Sequence, residues 1–132
     1  MNKREIKEEC YLDMLEDELN SVDAVLNHIE KVEIKEGIFD EHVIQKDLIR
    51  AYFDLELALA SLCILLRKMS ENLFIHIDED IRRDINSIIH SNRFEYNRLE
   101  VIVYSQKGRE PVDLRGLLRF CHSVLDSDKV RK

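Results

Sequence analysis

Residues 41–69 read EHVIQKDLIRAYFDLELALASLCILLRKM, and the spacing of their apolar side chains decides the fold class. Ile44, Leu48, Ala51, Leu55, Ala58, Leu62, Leu65 and Met69 follow one another at alternating steps of four and three. That is a heptad seam nearly four repeats long, the pattern of a helix laid against another helix. Ala51, Ala58, Ala60 and Ser61 keep part of it slim, so a neighbour can approach closely. Arg67 and Lys68 fall in its last turn, where cations suit the negative end of the helix dipole.

Upstream, Leu12, Leu15, Leu19, Val22, Leu26 and Ile29 form a second stripe of the same kind. Gly37 is a stop for that first helix, and Asp40 with Glu41 starts the next. The two are expected as helices 3–35 and 40–69, joined into an antiparallel hairpin about 45 Å long. Asp78 is placed to cap a third helix, expected over 78–105, with Ile81, Ile85, Ile88, Leu99 and Ile102 inward. QKGREP (106–111) is a turn signal, and a last helix over 112–126 would bury Leu114, Leu117, Leu118, Cys121 and Leu125. Two short stretches leave an alternative open. LFIHI (73–77) alternates, and LEVIVY (99–104) is rich in β-branched residues, so both also read as strands.

The expected architecture is therefore all-α, a single domain over 1–132: an elongated bundle of four to five helices built on a long antiparallel hairpin. Three glycines and one proline in 132 residues support it, since tight turns are few and helix formers abundant. Val25, Val32, Leu57, Leu59 and Leu66 widen the stripes beyond one seam, which points to a homodimer covering the uncovered face.

Composition narrows the chemistry. Cys10, Cys63 and Cys121 are widely separated in apolar runs and read as reduced core residues of a cytoplasmic protein. The N-terminal stretch is charged and lacks the apolar region of a secretory signal. LALASLCILL (57–66) is too short to span a membrane. The net charge of −7 is uneven: −9 over residues 1–60 and +3 over 82–119. Nucleic acid, if bound, would have to use that basic 82–119 region, because acidic faces repel phosphate.

The few glycines make no phosphate-cradling loop and no nucleophile elbow, and no histidine stands at the Glu-x-x-His spacing of di-iron bundles. HIDED (76–80) groups a histidine with three carboxylates, but consecutive residues at a helix start point different ways, so it reads as capping and solvated charge. Cys121 and His122 are neighbours on a helix and do not face each other. No cofactor and no metal is expected.

One polar pattern remains. On a helix, Arg83, Asn86, His90, Arg93 and Asn97 fall at steps of three and four and make a continuous stripe. Within RRDINSIIH (82–90), six residues separate Arg83 from His90, with Asp84 directly after the arginine; Arg115 and His122 share that spacing. The pattern resembles the signature of the HEPN family of helical ribonucleases. The resemblance implies metal-independent RNA cleavage by a dimer whose two motifs meet across the interface. Arg83 would then stabilise charge on the scissile phosphate, His90 would serve as general acid or base, and Asp84 and Asn86 would support them. Against it stands the reading that the residues themselves carry: a non-enzymatic helical protein that binds another macromolecule, as an adaptor, immunity protein or inhibitor does.

Overall fold

The computed structural model describes residues 2–34, 41–91, 93–97, 100–105 and 108–131, with side chains described over 2–32, 46–91, 93–96, 100–104 and 110–127. Helix α1 spans Lys3–Ile34 and α2 spans Glu41–Glu71. Arg4 and Lys7 at the start of α1 donate to the carbonyl and the side-chain oxygen of Asn72, just past α2, at 3.2 and 3.0 Å. At the other end His28 meets Asp47 at 3.2 Å. The two helices therefore run antiparallel from the Arg4–Asn72 contact to the His28–Asp47 one. The turn expected at Gly37 and Asp40 lies outside the described residues.

The α2 seam points inward. Ala51, Leu55, Leu62, Leu65 and Met69 are buried, and Leu59, Cys63 and Leu66 join them. The inward face is wider than a two-helix seam because α2 packs against more than α1. Helix α3 (Glu79–Ile89) also lies on α2, and α4 (Leu114–Arg131) closes against α1 and α3. From α1 the same core takes Leu12, Leu15, Leu19, Val22 and Ile29. Val32, Leu59 and Leu66, three of the positions expected to carry a dimer, thus serve the chain's own interior; Leu57 alone of the five is exposed.

The all-α expectation needs correction. Helix α3 stops at Ile89, and three strands follow: β1 (Arg93–Asn97), β2 (Glu100–Ser105) and β3 (Gly108–Val112). They form an antiparallel sheet in the order β1-β2-β3, with Phe94 opposite Val103, Tyr96 opposite Val101, and Val101 opposite Val112. The expected third helix, 78–105, is therefore one short helix and two strands. The cause is local and legible. The Ser91 hydroxyl donates to the Ile88 carbonyl at 3.0 Å, competing with the backbone at the helix end. Beyond it the apolar residues alternate with period two, which buries Val101 and Val103 on one face and leaves Arg93 and Glu95 on the other. Of the two stretches that also read as strands, 99–104 largely coincides with β2, whereas 73–77 is irregular backbone.

Caps set the other boundaries. The Asp78 carboxylate accepts from the Ile81 N–H at 2.9 Å and starts α3. Asp113 does the same for α4 through the Gly116 N–H at 2.9 Å, so α4 begins after Val112, which belongs to β3. Leu114, Leu117 and Cys121 are buried, and Leu118 and Leu125 are half-buried.

Candidate functional site

Arg83 and Asn86 stand exposed on α3, and His90 is exposed at its C-cap. Asp84, Ile85 and Ile88 are the buried residues of that helix. At ~100° per residue, Arg83 and His90 share one side of α3, roughly opposite the buried one, and are separated by about 10 Å along the axis. Asn86 lies on the same outer side. The stripe ends there: Arg93 is on β1, its guanidinium 5.8 Å from the Tyr104 ring, and the side chain of Asn97 is outside the described set. The structure brings three of the five stripe residues onto one open helix face and separates the other two.

Asp84 is turned inward. It is the only buried charged residue among those described. Burial raises its pKa; the Arg83 guanidinium, 4.0 Å away, and the Asp113 backbone N–H both pull it back down. Arg83 also lies 4.0 Å from Asp80. The carboxylate that follows the arginine in sequence thus ties α3 to the start of α4.

Other candidates can be placed as well. Cys121 is buried, which pushes its thiol up to about 12, while His122 is exposed and 3.8 Å from Asp23, so no thiolate–imidazole pair forms. Arg115 is exposed on α4. In HIDED, Asp78 is spent on the α3 cap and Ile77 is buried. Among the described residues no three His, Cys, Asp or Glu side chains gather as a metal would require, and no helix is long and apolar enough to cross a membrane.

Two features carry more than the motif does. The first is a row of exposed large apolar side chains on α2: Ile49, Phe53, Leu57 and Ile64, at 68, 61, 60 and 45 % exposure. At ~100° per residue they cluster within about 80° of one another, opposite the buried seam. With both sides of the helix apolar, α2 has the make-up of a buried helix, yet one side is open. The sequence signal was there, as steps of four, four and seven offset from the heptad seam, but the seam masked it.

The second is a groove of about 470 Å³ between the end of α2 and α3. Leu73, Ile77 and Ile85 supply its apolar surface, and Arg67, Arg82 and Asn86 its polar one. Arg67 lies 3.7 Å from Glu71, which also borders the groove. No sequence spacing could have found it, because Arg67 and Arg82 come from different helices. A smaller cavity of about 210 Å³ lies between α1, the segment after α2 and α4, bordered by Glu8, Phe74, His76 and Ser123.

No protein-family model matches the chain, and no curated protein or solved structure matches it.

Proposed function

We propose that the chain is a non-enzymatic binding protein, of adaptor, immunity or inhibitor type, that holds a protein partner on the outward side of α2. The observation that supports this is the Ile49, Phe53, Leu57, Ile64 row: four large apolar side chains in register on one helix, each at least 45 % exposed. Exposed apolar side chains are ordinary one at a time, but a contiguous row on a monomer's surface marks an interaction face. Cys63 and Cys121 are buried, whereas Cys10, expected in the core, is exposed on α1; three free thiols, one of them open to solvent, suit a reducing compartment, and we assign the protein to the cytoplasm.

The reading is tested by panning a displayed library of helical peptides on the wild-type chain, with a Phe53→Glu/Leu57→Glu variant of equal helicity as counter-selection. Peptides that bind the wild type and not the variant are the expected result. Binders that ignore the substitutions, or no binders at all, would remove the α2 face from consideration.

A second reading has one observation in its favour: Arg83 and Asn86 on α3 and His90 at its C-cap are all exposed, at spacings that share one side of the helix. A dimer that joined two such faces would bring a guanidinium and an imidazole to one phosphate, as the likeness to HEPN ribonucleases implies. Incubating the protein with labelled single-stranded RNA in EDTA, beside a His90→Ala variant, separates the readings. Cleavage that survives EDTA and disappears with the substitution would make the chain a ribonuclease; intact RNA leaves the binding reading in place.

A further inference from the structure

Resting on the α2 face just proposed, we infer that its occupant is an acidic amphipathic helix of another protein. Charge carries the argument. The chain as a whole is acidic, at −7, yet the apolar row is framed by cations at both ends. Lys46 and Arg50 precede or flank Ile49 and Phe53, Arg67 and Lys68 follow Ile64, and all four are exposed. At ~100° per residue they share the outer half of α2 with the row, where the acids are the half-buried Glu56 and the Arg67-paired Glu71, with Asp54 at the edge. A helix of about 20 residues, with a central apolar stripe and carboxylates towards its ends, matches this length and charge order. From Lys46 to Lys68 the face is ~33 Å long.

The groove at the end of the row extends the fit. Arg67 is one turn beyond Ile64 and borders the groove, with Arg82 on the far side and Leu73, Ile77 and Ile85 as the apolar surface. A helix lying on α2 would deliver its last turn there. An apolar side chain would enter between the leucine and the isoleucines, and a carboxylate would meet Arg82 and Arg67.

A second copy of this chain fits the face less well. In antiparallel self-pairing centred near Leu57, Lys46 would approach the partner copy's Lys68 at each end of the contact; in parallel pairing each cation would approach its own equivalent. Like charges set together at an interface disfavour it. Single-stranded RNA would answer the cations and could stack a base on Phe53, but would leave Ile49, Leu57 and Ile64 without an apolar partner.

The test uses two fluorescent peptides of ~20 residues with the same leucines at heptad spacing, one flanked by glutamates and one by lysines, and fluorescence anisotropy on the full chain. The glutamate peptide should bind at least about tenfold more tightly than the lysine peptide, and its affinity should fall as salt rises. Phe53→Glu/Leu57→Glu should weaken it by about tenfold or more, and Arg67→Glu/Lys68→Glu should erase or reverse the preference for glutamate. Equal binding of both peptides, lost in Phe53→Glu/Leu57→Glu, would overturn the acidic partner while leaving the α2 face standing. Neither peptide binding overturns the inference, and the peptide-library selection then decides separately whether the face binds anything. Sedimentation showing a dimer that Phe53→Glu/Leu57→Glu dissociates would make a second copy the occupant, and tighter binding of a ~20-nucleotide RNA than of the glutamate peptide would make it nucleic acid.

Discussion

The backbone N–H of Phe74 donates to the carbonyl of Met69, five residues back, at 3.0 Å, and the residue before it, Leu73, sits at φ 61. With Leu73 N–H on the Ser70 carbonyl at 3.0 Å, this is a Schellman ending for α2. Glycine ordinarily fills that left-handed position because a side chain there costs roughly 1–2 kcal/mol. Leu73 is also 81 % exposed, so packing returns little of that cost.

Leu73→Gly should therefore stabilise the chain. Relief of the left-handed strain exceeds the extra freedom glycine gives the unfolded chain, for a net gain of about 0.5–1 kcal/mol and a Tm a few degrees higher. Leu73→Ala keeps the strain and should show no such gain. A lower Tm for the glycine variant would mean that the leucine side chain is held by packing. The same substitution should weaken any ligand that enters the groove between α2 and α3, since Leu73 borders it. Strain kept at an exposed apolar residue beside a groove is what a binding role would retain.

Leu57 and Leu59 are two residues apart and should behave oppositely. Leu59 has no exposed surface, whereas Leu57 is 60 % exposed. Leu59→Ala opens a cavity in the α1–α2 core and should cost about 2–5 kcal/mol in a urea melt. Leu57→Ala should stay within about 0.5 kcal/mol of wild type. A large loss at Leu57 would show that its side of α2 is already covered, by a second copy or by part of this chain.

Much of the fold could be read from periodicity, and the boundary of what could not is physical. The seam on α2 and the stripe on α1 are long, and over ~30 residues a 3.6-residue period is hard to mistake. The sheet was harder. Phe94, Tyr96, Val101 and Val103 form two runs of about five residues each, too short for a period to assert itself beside an isoleucine pattern carried on from α3. The polar stripe failed for the same reason, since Arg93 and Asn97 joined it only if the helix continued past Ser91. The α2 outer row was written in the sequence but hidden beneath a stronger pattern on the same helix. The groove depends on Arg67 and Arg82 meeting across two helices, which no local spacing encodes.

Asp84 links the candidate stripe to stability and gives a pH signature. Burial raises its carboxyl above the ordinary aspartate range, so the folded chain holds that proton more tightly than the unfolded chain does. An unfolded aspartate titrates near ~3.9. The contribution of Asp84 is thus most favourable below that value and is lost as pH rises through its higher folded value. Asp84→Asn removes the titration while leaving an oxygen to accept from the Asp113 N–H. The variant should be the more stable chain at neutral pH, with its advantage shrinking on acidification, as read from urea midpoints across the acid range. An advantage that does not change with pH would place the effect outside this carboxyl. Arg83 should remain on the outer face, so any RNA-cleaving activity lost in this variant would point to a role for the carboxylate itself.

Tyr96 offers a separate test of how the sheet is held to the helices. Its ring stacks on Tyr52 of α2 at 5.6 Å and 17°, and on Phe94 at 5.7 Å and 28°. Its hydroxyl is buried with no hydrogen-bond partner among the described residues. Burial, reinforced by the Glu56 carboxylate, pushes that phenol well above its ordinary range, which marks a polar group in a place that suits a ring edge. Tyr96→Phe keeps both stacks and removes the unsatisfied group, so it should raise stability by about 1 kcal/mol. Tyr96→Ala removes the stacks as well and should cost about 3 kcal/mol or more. If the phenylalanine variant is instead the weaker chain, the hydroxyl has a partner in solution, and the contact between β1 and α2 is polar at its centre rather than aromatic throughout. Tyr52 flanks the side of α2 that carries Ile49 and Phe53, so a stable Tyr96→Phe chain that still binds the glutamate peptide would show that this anchor and the binding face are independent.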